Sequence, residues 1–345
     1  MALYSNLSIA AQTAFAQLQD SAIALPRGVG DLNGSFAAKT VRGKRYWYFA
    51  YREGEKVRQI YVGPDEPRVR ALVESKRAAT DQDVISAQAR ACVAQGAAGL
   101  VPAHVRVISR MADFGFFAAA GVLVGTHAFA GHANTLGVKW TGSDKTMDID
   151  LAMPGKNVSI ALPGAPELKL DDALSTFEAG FMPTQSGGKA GSTYVLKGDP
   201  NFQVDFLTTL GRSGERPQKM PGLGVTAQPL KFLEYVLEDP VQTVVFDASG
   251  RYCVVNVPAP ARYAVHKLIV YGERDVRFRT KARKDIEQAA ALFGYLGAHA
   301  KRSLAEAWNE ARDRGPGWRK RLKEGLAALE TTHPQIVADA GLTKP

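Results

Sequence analysis

The residues with the clearest chemical potential are three aspartates in apolar surroundings. Asp148 and Asp150 stand two apart, and in a strand such side chains point to the same face. Two carboxylates that close repel each other unless a cation lies between them, and Mg²⁺, which prefers oxygen ligands, is the expected cation. Asp205 interrupts a second apolar run, where a charge is unfavourable unless paired or metal-bound. We therefore expect the three carboxylates to meet at two metals about 4 Å apart. The alternative for Asp148 and Asp150 is a solvated strand end.

A glycine turn upstream could supply the anion-binding half of such a site. Residues 122–124 are typical of a buried strand, and Gly125 and Thr126 then open a predicted helix. Thr126 could cap that helix, and its amide and that of His127 would point outward as donors to phosphate oxygens. The same strand–turn–helix arrangement also occurs for purely steric reasons.

The elements that must position these residues divide the chain into three predicted parts. The fold class is expected to be α+β, with a mixed β-sheet core and flanking helices. A small β-containing module precedes this core, and a helical part follows it. The predicted boundaries are 1–65 for the N-terminal helix and three-stranded antiparallel module, 66–260 for the core and 261–345 for the basic helical region.

The predicted N-terminal strands, which end before residue 63, are rich in aromatic and basic residues around Trp47. Such strands can stack bases and hold phosphates, which would suit an adaptor acting on DNA. The same residues can pack the sheet against a neighbour instead, and we favour that interpretation from the sequence.

Positive charge is concentrated near the C-terminus. Residues 262–323 contain 16 Lys and Arg against 7 Asp and Glu, which gives +9, equal to the net charge of the whole chain. This excess predicts a polyanionic partner, nucleotide phosphates or RNA or both, and its alternative is a solvated charged helix face.

Several other functions are excluded or disfavoured. Cys92 and Cys253 are too few for a disulfide framework and are expected to be reduced. We expect a soluble, cytoplasmic protein without a membrane partner, because no secretory signal is present and the most apolar stretch has only 17 residues. His127 and His132 lack a third ligand of matching spacing, so a zinc site is not expected.

The combined pattern resembles a known superfamily. Gly125-Thr126, Asp148-x-Asp150 and Asp205 resemble the signature of the DNA polymerase beta-like nucleotidyltransferases. Residues 123–129, 148–150 and 257–267 are more closely similar to a little-characterised bacterial nucleotidyltransferase family. That family is distantly related to the toxin nucleotidyltransferases of abortive-infection systems.

Two departures from that pattern concern the segment between the turn and the aspartates. The superfamily usually places the aspartate pair about a dozen residues after the glycine, whereas here the gap is 23 residues. The extra segment, residues 132–145, is expected to form a loop or hairpin beside the site. Thr126 also replaces the commoner Gly or Ser.

The resemblance implies Mg²⁺-dependent transfer of a nucleoside monophosphate from an NTP to an acceptor hydroxyl. Two ions, with Mn²⁺ as a possible substitute, would be held by the three aspartates, and Asp205 would help the ion that activates the acceptor. Gly125 and Thr126 would cradle the phosphates. Lys267 would contact the triphosphate, with Lys284 and Asp285 as further candidates; a surface position on its helix is the alternative for Lys267.

The acceptor is left open by the sequence. The candidate acceptors are tRNA, another RNA, a protein side chain and a small molecule, and neither the preferred NTP nor the oligomeric state can be read from the residues. The alternative function is a non-catalytic nucleotidyltransferase-fold module that binds RNA or a protein.

Overall fold

The computed structural model describes residues 3–25, 34–53, 56–77, 80–142, 146–155, 170–175, 177, 180–186, 189–211, 214–220, 223–274 and 279–342. The strands are β1 (Tyr4–Asn6), β2 (Gly34–Val41), β3 (Lys44–Glu53), β4 (Lys56–Pro64), β5 (Val122–Leu123), β6 (Val138–Trp140), β7 (Asp148–Met153), β8 (Phe181–Ser186), β9 (Lys189–Leu196), β10 (Asp199–Thr209), β11 (Gln218–Lys219), β12 (Thr226–Leu230), β13 (Val241–Phe246) and β14 (Tyr252–Val257). The helices are α1 (Ile9–Ala24), α2 (Pro67–Arg77), α3 (Thr80–Ala94), α4 (Pro102–Asp113), α5 (Gly125–Thr135), α6 (Leu170–Ser175), α7 (Leu233–Leu237), α8 (Pro260–Glu273), α9 (Arg279–His299), α10 (Lys301–Asp313), α11 (Pro316–Thr332) and α12 (Pro334–Ala340). The predicted α+β class is confirmed.

Within the described residues, the central sheet has seven strands of mixed direction. Its main path runs β11-β12-β10-β7-β5, and β8 and β9 extend it from the side of β10. Strand β10 is parallel to both β7 and β12 but antiparallel to β9, and β5 is antiparallel to β7. Strands β7 and β10 therefore lie side by side with their carboxyl ends at the same edge.

Alternation along β7 and β10 sets which side chains enter the core. Ile149, Leu151, Val204 and Phe206 are buried in the main apolar cluster. Because successive side chains of a strand point to opposite faces, Asp148, Asp150 and Asp205 are turned the other way. Burial of the apolar residues thus fixes the face on which the carboxylates stand.

The C-terminal helices share the main apolar core with this sheet. Helix α8 starts at Pro260. Proline suits the first turn of a helix because the amide hydrogen that it lacks would have no partner within the helix. Leu268 and Ile269 of α8 pack in the same cluster as Phe293 of α9 and Trp308 of α10. The predicted helical C-terminal part is present throughout the described residues beyond 260.

The N-terminal segment contributes to two regions. Strand β1 pairs with β6 of the predicted core, and α1 packs against α3 with its Phe15 close to Phe246. Strands β2, β3 and β4 form a separate antiparallel sheet, as expected, whose inner face packs on α2. The predicted domain boundaries stay predictions.

The segment predicted as a loop or hairpin at 132–145 is different in the structure. Its first residues complete α5, and residues 138–140 form β6 in partnership with β1. The loop prediction was therefore wrong for 132–140, because the apolar residues continue the helical pattern and Val138 and Trp140 are buried. Residues 143–145 of that prediction lie outside the described residues.

Two other features follow the sequence. Cys92 and Cys253 are both free and buried. None of the helices in the described ranges has the length and apolar character needed to cross a membrane.

Candidate active site

Asp150 and Asp205 occupy paired positions on the adjacent parallel strands β7 and β10. Adjacent strands lie about 4.8 Å apart, so two side chains in this register on one face are immediate neighbours. Asp148, two residues before Asp150 on β7, is paired with Gln203 of β10 and lies on the same face. The structure thus brings Asp150 and Asp205 together as direct neighbours, and it places Asp148 on the same face of the sheet beside Gln203.

The pKa values reflect this crowding. Burial and the neighbouring charge of Asp205 raise the pKa of Asp150 to about 6, and Lys267 counteracts them only in part. Burial also raises the pKa of Asp205, although a hydrogen bond donated by the Thr193 hydroxyl, 2.5 Å from Oδ1, opposes that shift. Both shifts indicate carboxylates that lack sufficient positive charge around them.

Gly125 lies directly against Asp150. The backbone amide of Val124 donates to the Asp150 carbonyl at 3.0 Å, which holds the turn beside β7. Gly125 has a φ of +62°, a left-handed conformation that favours glycine, and a Cβ added to it would overlap Asp150 Oδ2. Glycine is therefore required here both by its backbone conformation and by the carboxylate that fills the space.

Thr126 does not have the capping role that the sequence suggested. The N-cap of α5 is Val124, no side chain caps the helix, and Thr126 is buried in the first turn. The prediction was wrong because the helix begins at Gly125, two residues earlier than a Thr126 cap requires. The start of α5 still faces Asp150, and the first amides of a helix generally have no partner within it.

Lys267 is linked to the glycine turn through Tyr263. The Tyr263 hydroxyl lies 2.8 Å from the Gly125 carbonyl oxygen, and Lys267 hydrogen-bonds to the same hydroxyl. Lys267 Nζ also donates to Asp285 Oδ1 at 2.8 Å. Burial alone would lower the pKa of Lys267, but Asp285 and Tyr263 outweigh it and the net shift is upward. The lysine is therefore charged and held beside the turn.

Asp285 binds two basic side chains, Lys267 and Arg274, one through each carboxylate oxygen. It is buried, and its second oxygen accepts from Arg274 Nε at 2.5 Å. Burial would raise the pKa of Asp285, but Lys267 and Arg274 outweigh that effect and lower it. Arg274 belongs to the basic span for which the sequence predicts a polyanionic partner or a solvated helix face, and the structure instead turns it towards this carboxylate.

Helix α9 places two further lysines near the aspartates. The charge of Lys281, which is exposed, lowers the pKa of both Asp150 and Asp205. Burial and the Lys267 charge lower the pKa of Lys284, while Asp150, Asp285 and Asp148 raise it. Lys267, Lys281 and Lys284 thus all interact electrostatically with Asp150, and the last two lie in the first turns of α9.

Two buried histidines, His104 and His127, contact each other between α4 and α5. His127 Nε2 lies 2.9 Å from His104 Nδ1, which links α5 to α4. Burial lowers the pKa of His127 to about 3. Burial also lowers the pKa of His104, although the Asp148 charge partly offsets that shift. Both are buried, so they act in packing and are neutral near pH 7.

The donor set fits magnesium bound together with a phosphate ligand. Within the described part of the chain, no three His, Cys, Asp or Glu side chains form a ready-made metal cage. Mg²⁺ is usually held by one or two carboxylates, with waters and substrate phosphates completing six ligands. Asp150 and Asp205 provide that pair, and the raised pKa of each is what a cation would offset.

Three residues of the site were not identified from the sequence: Tyr263, Thr193 and Lys281. Tyr263 precedes Lys267 by four residues on one helix, a spacing that puts both on one face and could have revealed it. Thr193 pairs with Asp205 across β9 and β10, and nothing in the local sequence indicates that register.

Much of the C-terminal positive charge is paired with carboxylates. Arg262 and Arg314 share Glu238 and Glu310, which ties α8 and α10 to the end of α7. At least eight of the sixteen basic residues have a carboxylate partner: Arg262, Lys267, Arg274, Arg283, Arg302, Arg312, Arg314 and Arg321. Much of this charge therefore stabilises the helices.

Comparison with known proteins agrees with this geometry. A family model described as Domain of unknown function (DUF6788) matches residues 22–71. The searches of curated proteins and of solved structures found no match. A family model described as Nucleotidyltransferase matches residues 103–313, from α4 to the end of α10, and so contains every candidate site residue. Because that match spans more than half of the chain, the protein belongs to this nucleotidyltransferase family.

Proposed function

We propose that the protein transfers a nucleoside monophosphate from an NTP to an acceptor hydroxyl with release of pyrophosphate, in a Mg²⁺-dependent reaction of the polymerase beta-like type. The observation that carries the proposal is the pairing of Asp150 with Asp205 directly beneath the Gly125 turn. A distant relationship to the abortive-infection toxin transferases is part of the same proposal.

In this proposal the protein's own residues bind the triphosphate of the NTP and position it. The start of α5 offers amide donors to the β- and γ-phosphates, and Gly125 lets them approach because it has no side chain. Lys267 balances the charge of the phosphates from the other side, with Lys284 nearby. The lysines and the helix start thus favour a bound triphosphate next to the carboxylates.

Two Mg²⁺ ions, held by Asp148 and Asp150 with Asp205 as a further ligand to one of them, would stabilise charge on the attacking and leaving oxygens. Thr193 orients Asp205 through its hydroxyl, and Tyr263 holds Lys267 beside the turn. Phosphoryl-transfer sites rely mainly on such positioning and electrostatics, which is what these contacts provide.

A nucleic acid, RNA in particular, is the acceptor that we propose. Lys281 is exposed at the rim of the site and close enough to influence both Asp150 and Asp205. A cation at that position suits the phosphate next to an acceptor hydroxyl.

The direct test compares two Asp→Asn variants on neighbouring strands. Asp150→Asn should lower nucleotide transfer at least ~10²-fold, the low end for losing one preorganised charge-stabilising group. Asp199→Asn, at the start of β10 and away from the carboxylate pair, should behave as the parent protein. The assay incubates the protein with each labelled NTP, Mg²⁺ and total cell RNA. Unchanged transfer by Asp150→Asn would place the chemistry elsewhere.

A further inference from the structure

The β2–β3–β4 sheet has two chemically different faces. On the inner face, Trp47 and Phe49 are buried, and Val73 of α2 is buried with them. Trp47 Nε1 donates to Asp65 Oδ1 at 2.8 Å, which fixes the ring against the start of α2. This face is the packing surface that the sequence favoured, and it accounts for the aromatic residues at odd positions of β3.

The outer face carries tyrosines that this packing does not use. Tyr46 and Tyr48 alternate with the buried rings along β3, and Tyr61 is paired with Tyr48 across β4. The Tyr48 and Tyr61 ring centroids lie 5.5 Å apart, and those of Tyr46 and Tyr61 lie 6.2 Å apart. Tyr61 is 54% exposed, so a planar group could stack on it from solvent. We call Lys39, Tyr46, Tyr48, Gln59 and Tyr61 the outer tyrosine face.

The β2–β3–β4 segment carries an excess of positive charge, and part of it lies at the outer tyrosine face. Residues 34–64 contain seven Lys and Arg against two Asp and Glu, a net charge of +5 on 31 residues. Lys39 Nζ lies 4.8 Å from the centre of the Tyr48 ring and donates to Gln59 Oε1 at 2.5 Å, so a cation stands among the rings. At the tip of the β2–β3 hairpin, Arg42 and Lys44 are exposed, whereas Arg45 lies over the ring of Trp47 on the inner face.

The combination of exposed rings and excess cations selects the kind of partner. An acidic protein would satisfy the charge but gives no reason for three clustered tyrosines. A duplex presents phosphates but keeps its bases stacked inside. Single strands offer both unstacked bases and a continuous row of phosphates, which is what aromatic platforms with basic borders recognise.

We propose that the outer tyrosine face binds single-stranded nucleic acid, with Tyr48 and Tyr61 stacking on bases and with Lys39 and the cations of the hairpin tip contacting phosphates. The proposal extends the proposed function, because the strand held by the sheet would be the acceptor. Binding itself requires neither NTP nor divalent cation, so it can be tested separately from transfer.

The experiment measures the affinity of the full chain for labelled 20-nucleotide single strands of RNA and DNA, and for the matching duplex, in EDTA without NTP. We expect both single strands to bind more tightly than the duplex. Tyr61→Ala should weaken single-strand binding by about 5- to 100-fold, the range for loss of one base–aromatic stack. Tyr61→Phe keeps the ring and should bind as the parent protein does.

A second pair of variants tests the phosphate contacts without altering the aromatic rings. Lys44→Gln at the hairpin tip should lower the slope of log affinity against log salt by about 0.7, the value for one contact with a single strand. Lys323→Gln, an equally exposed lysine on α11, should leave the slope unchanged.

The results can overturn the proposal in distinct ways. Tighter binding to the duplex, no salt-dependent binding at all, or equal affinity of Tyr61→Ala and the parent protein would each contradict it. Asp150→Asn should bind single strands normally even where it abolishes transfer. Binding that is lost in Tyr61→Ala while the reaction assay fails for every NTP would contradict the proposed function and leave the sheet proposal standing.

Discussion

Asp205 stands beside Asp150 on the neighbouring parallel strand, and the two carboxylates share one face of the sheet. This arrangement is unfavourable for the protein alone, because burial raises the pKa of both groups, the Asp205 charge raises that of Asp150 further, and the Asp148 charge raises that of Asp205. The fold maintains it because Ile149, Leu151, Val204 and Phe206 are buried on the opposite face of the same strands. The free energy gained by burying these apolar residues thus keeps the two carboxylates side by side. A bound cation would stabilise the pair.

The first prediction concerns stability and pH in EDTA. Folding raises the pKa of Asp150 from about 4 to about 6, so the folded state binds its proton more tightly and loses stability as pH rises between those values. Asp150→Asn removes that loss. The variant should equal the parent protein in unfolding free energy near pH 4 and exceed it by about 2–3 kcal/mol at pH 8. Denaturant unfolding at both pH values measures the difference, and a variant that is less stable at pH 8 would contradict the buried-charge account.

The second prediction compares two glycines with a positive φ, Gly125 and Gly96. Gly125→Ala and Gly96→Ala should each cost about 1 kcal/mol in unfolding free energy, because alanine rarely adopts a positive φ. Only Gly125→Ala should also abolish transfer, since its Cβ would displace the Asp150 carboxylate, whereas a Cβ at Gly96 meets open space. Thermal unfolding and the transfer assay separate the two effects. Full activity in a folded Gly125→Ala variant would exclude a close approach to this turn.

The third prediction concerns the hydrogen bond between Thr193 and Asp205. Thr193→Val preserves shape but removes the hydroxyl that orients Oδ1, and should lower kcat/KM for NTP about 10- to 100-fold, as loss of such supporting groups does at metal sites. Thr193→Ser keeps the donor and should retain most activity. If Thr193→Val and Thr193→Ser have the same kcat/KM, Asp205 does not depend on this contact.

The fourth prediction separates the two roles of Lys267. Asp285→Asn leaves a buried lysine without its charge partner and should lower the unfolding free energy by about 3–5 kcal/mol. Adding Lys267→Met to that variant should restore much of the stability, because the uncompensated charge is removed. The double variant should nevertheless show a raised KM for NTP. A folded double variant with the parent KM would make Lys267 purely structural.

The local sequence predicted the strands and most helices because their alternation and periodicity are set by nearby residues. Asp148, Asp150 and Gly125 could be identified from their spacing, since each depends on one strand or turn. The partnership of Tyr263 with Gly125 and that of Thr193 with Asp205 depend on contacts between distant segments, which no local pattern fixes. The same limit explains why Arg274 was assigned to an outward or solvated surface, since its partner Asp285 lies on another helix.

The measurement that tests the central claim most directly compares labels at two positions of the same NTP. Parent protein is incubated with Mg²⁺, total cell RNA and either α-labelled or γ-labelled NTP, for all four bases in turn. The account predicts that for at least one base the α-label becomes attached to the acceptor, while the γ-label is released in pyrophosphate. Attachment of the γ-label, or no attachment of the α-label from any of the four NTPs, would contradict it.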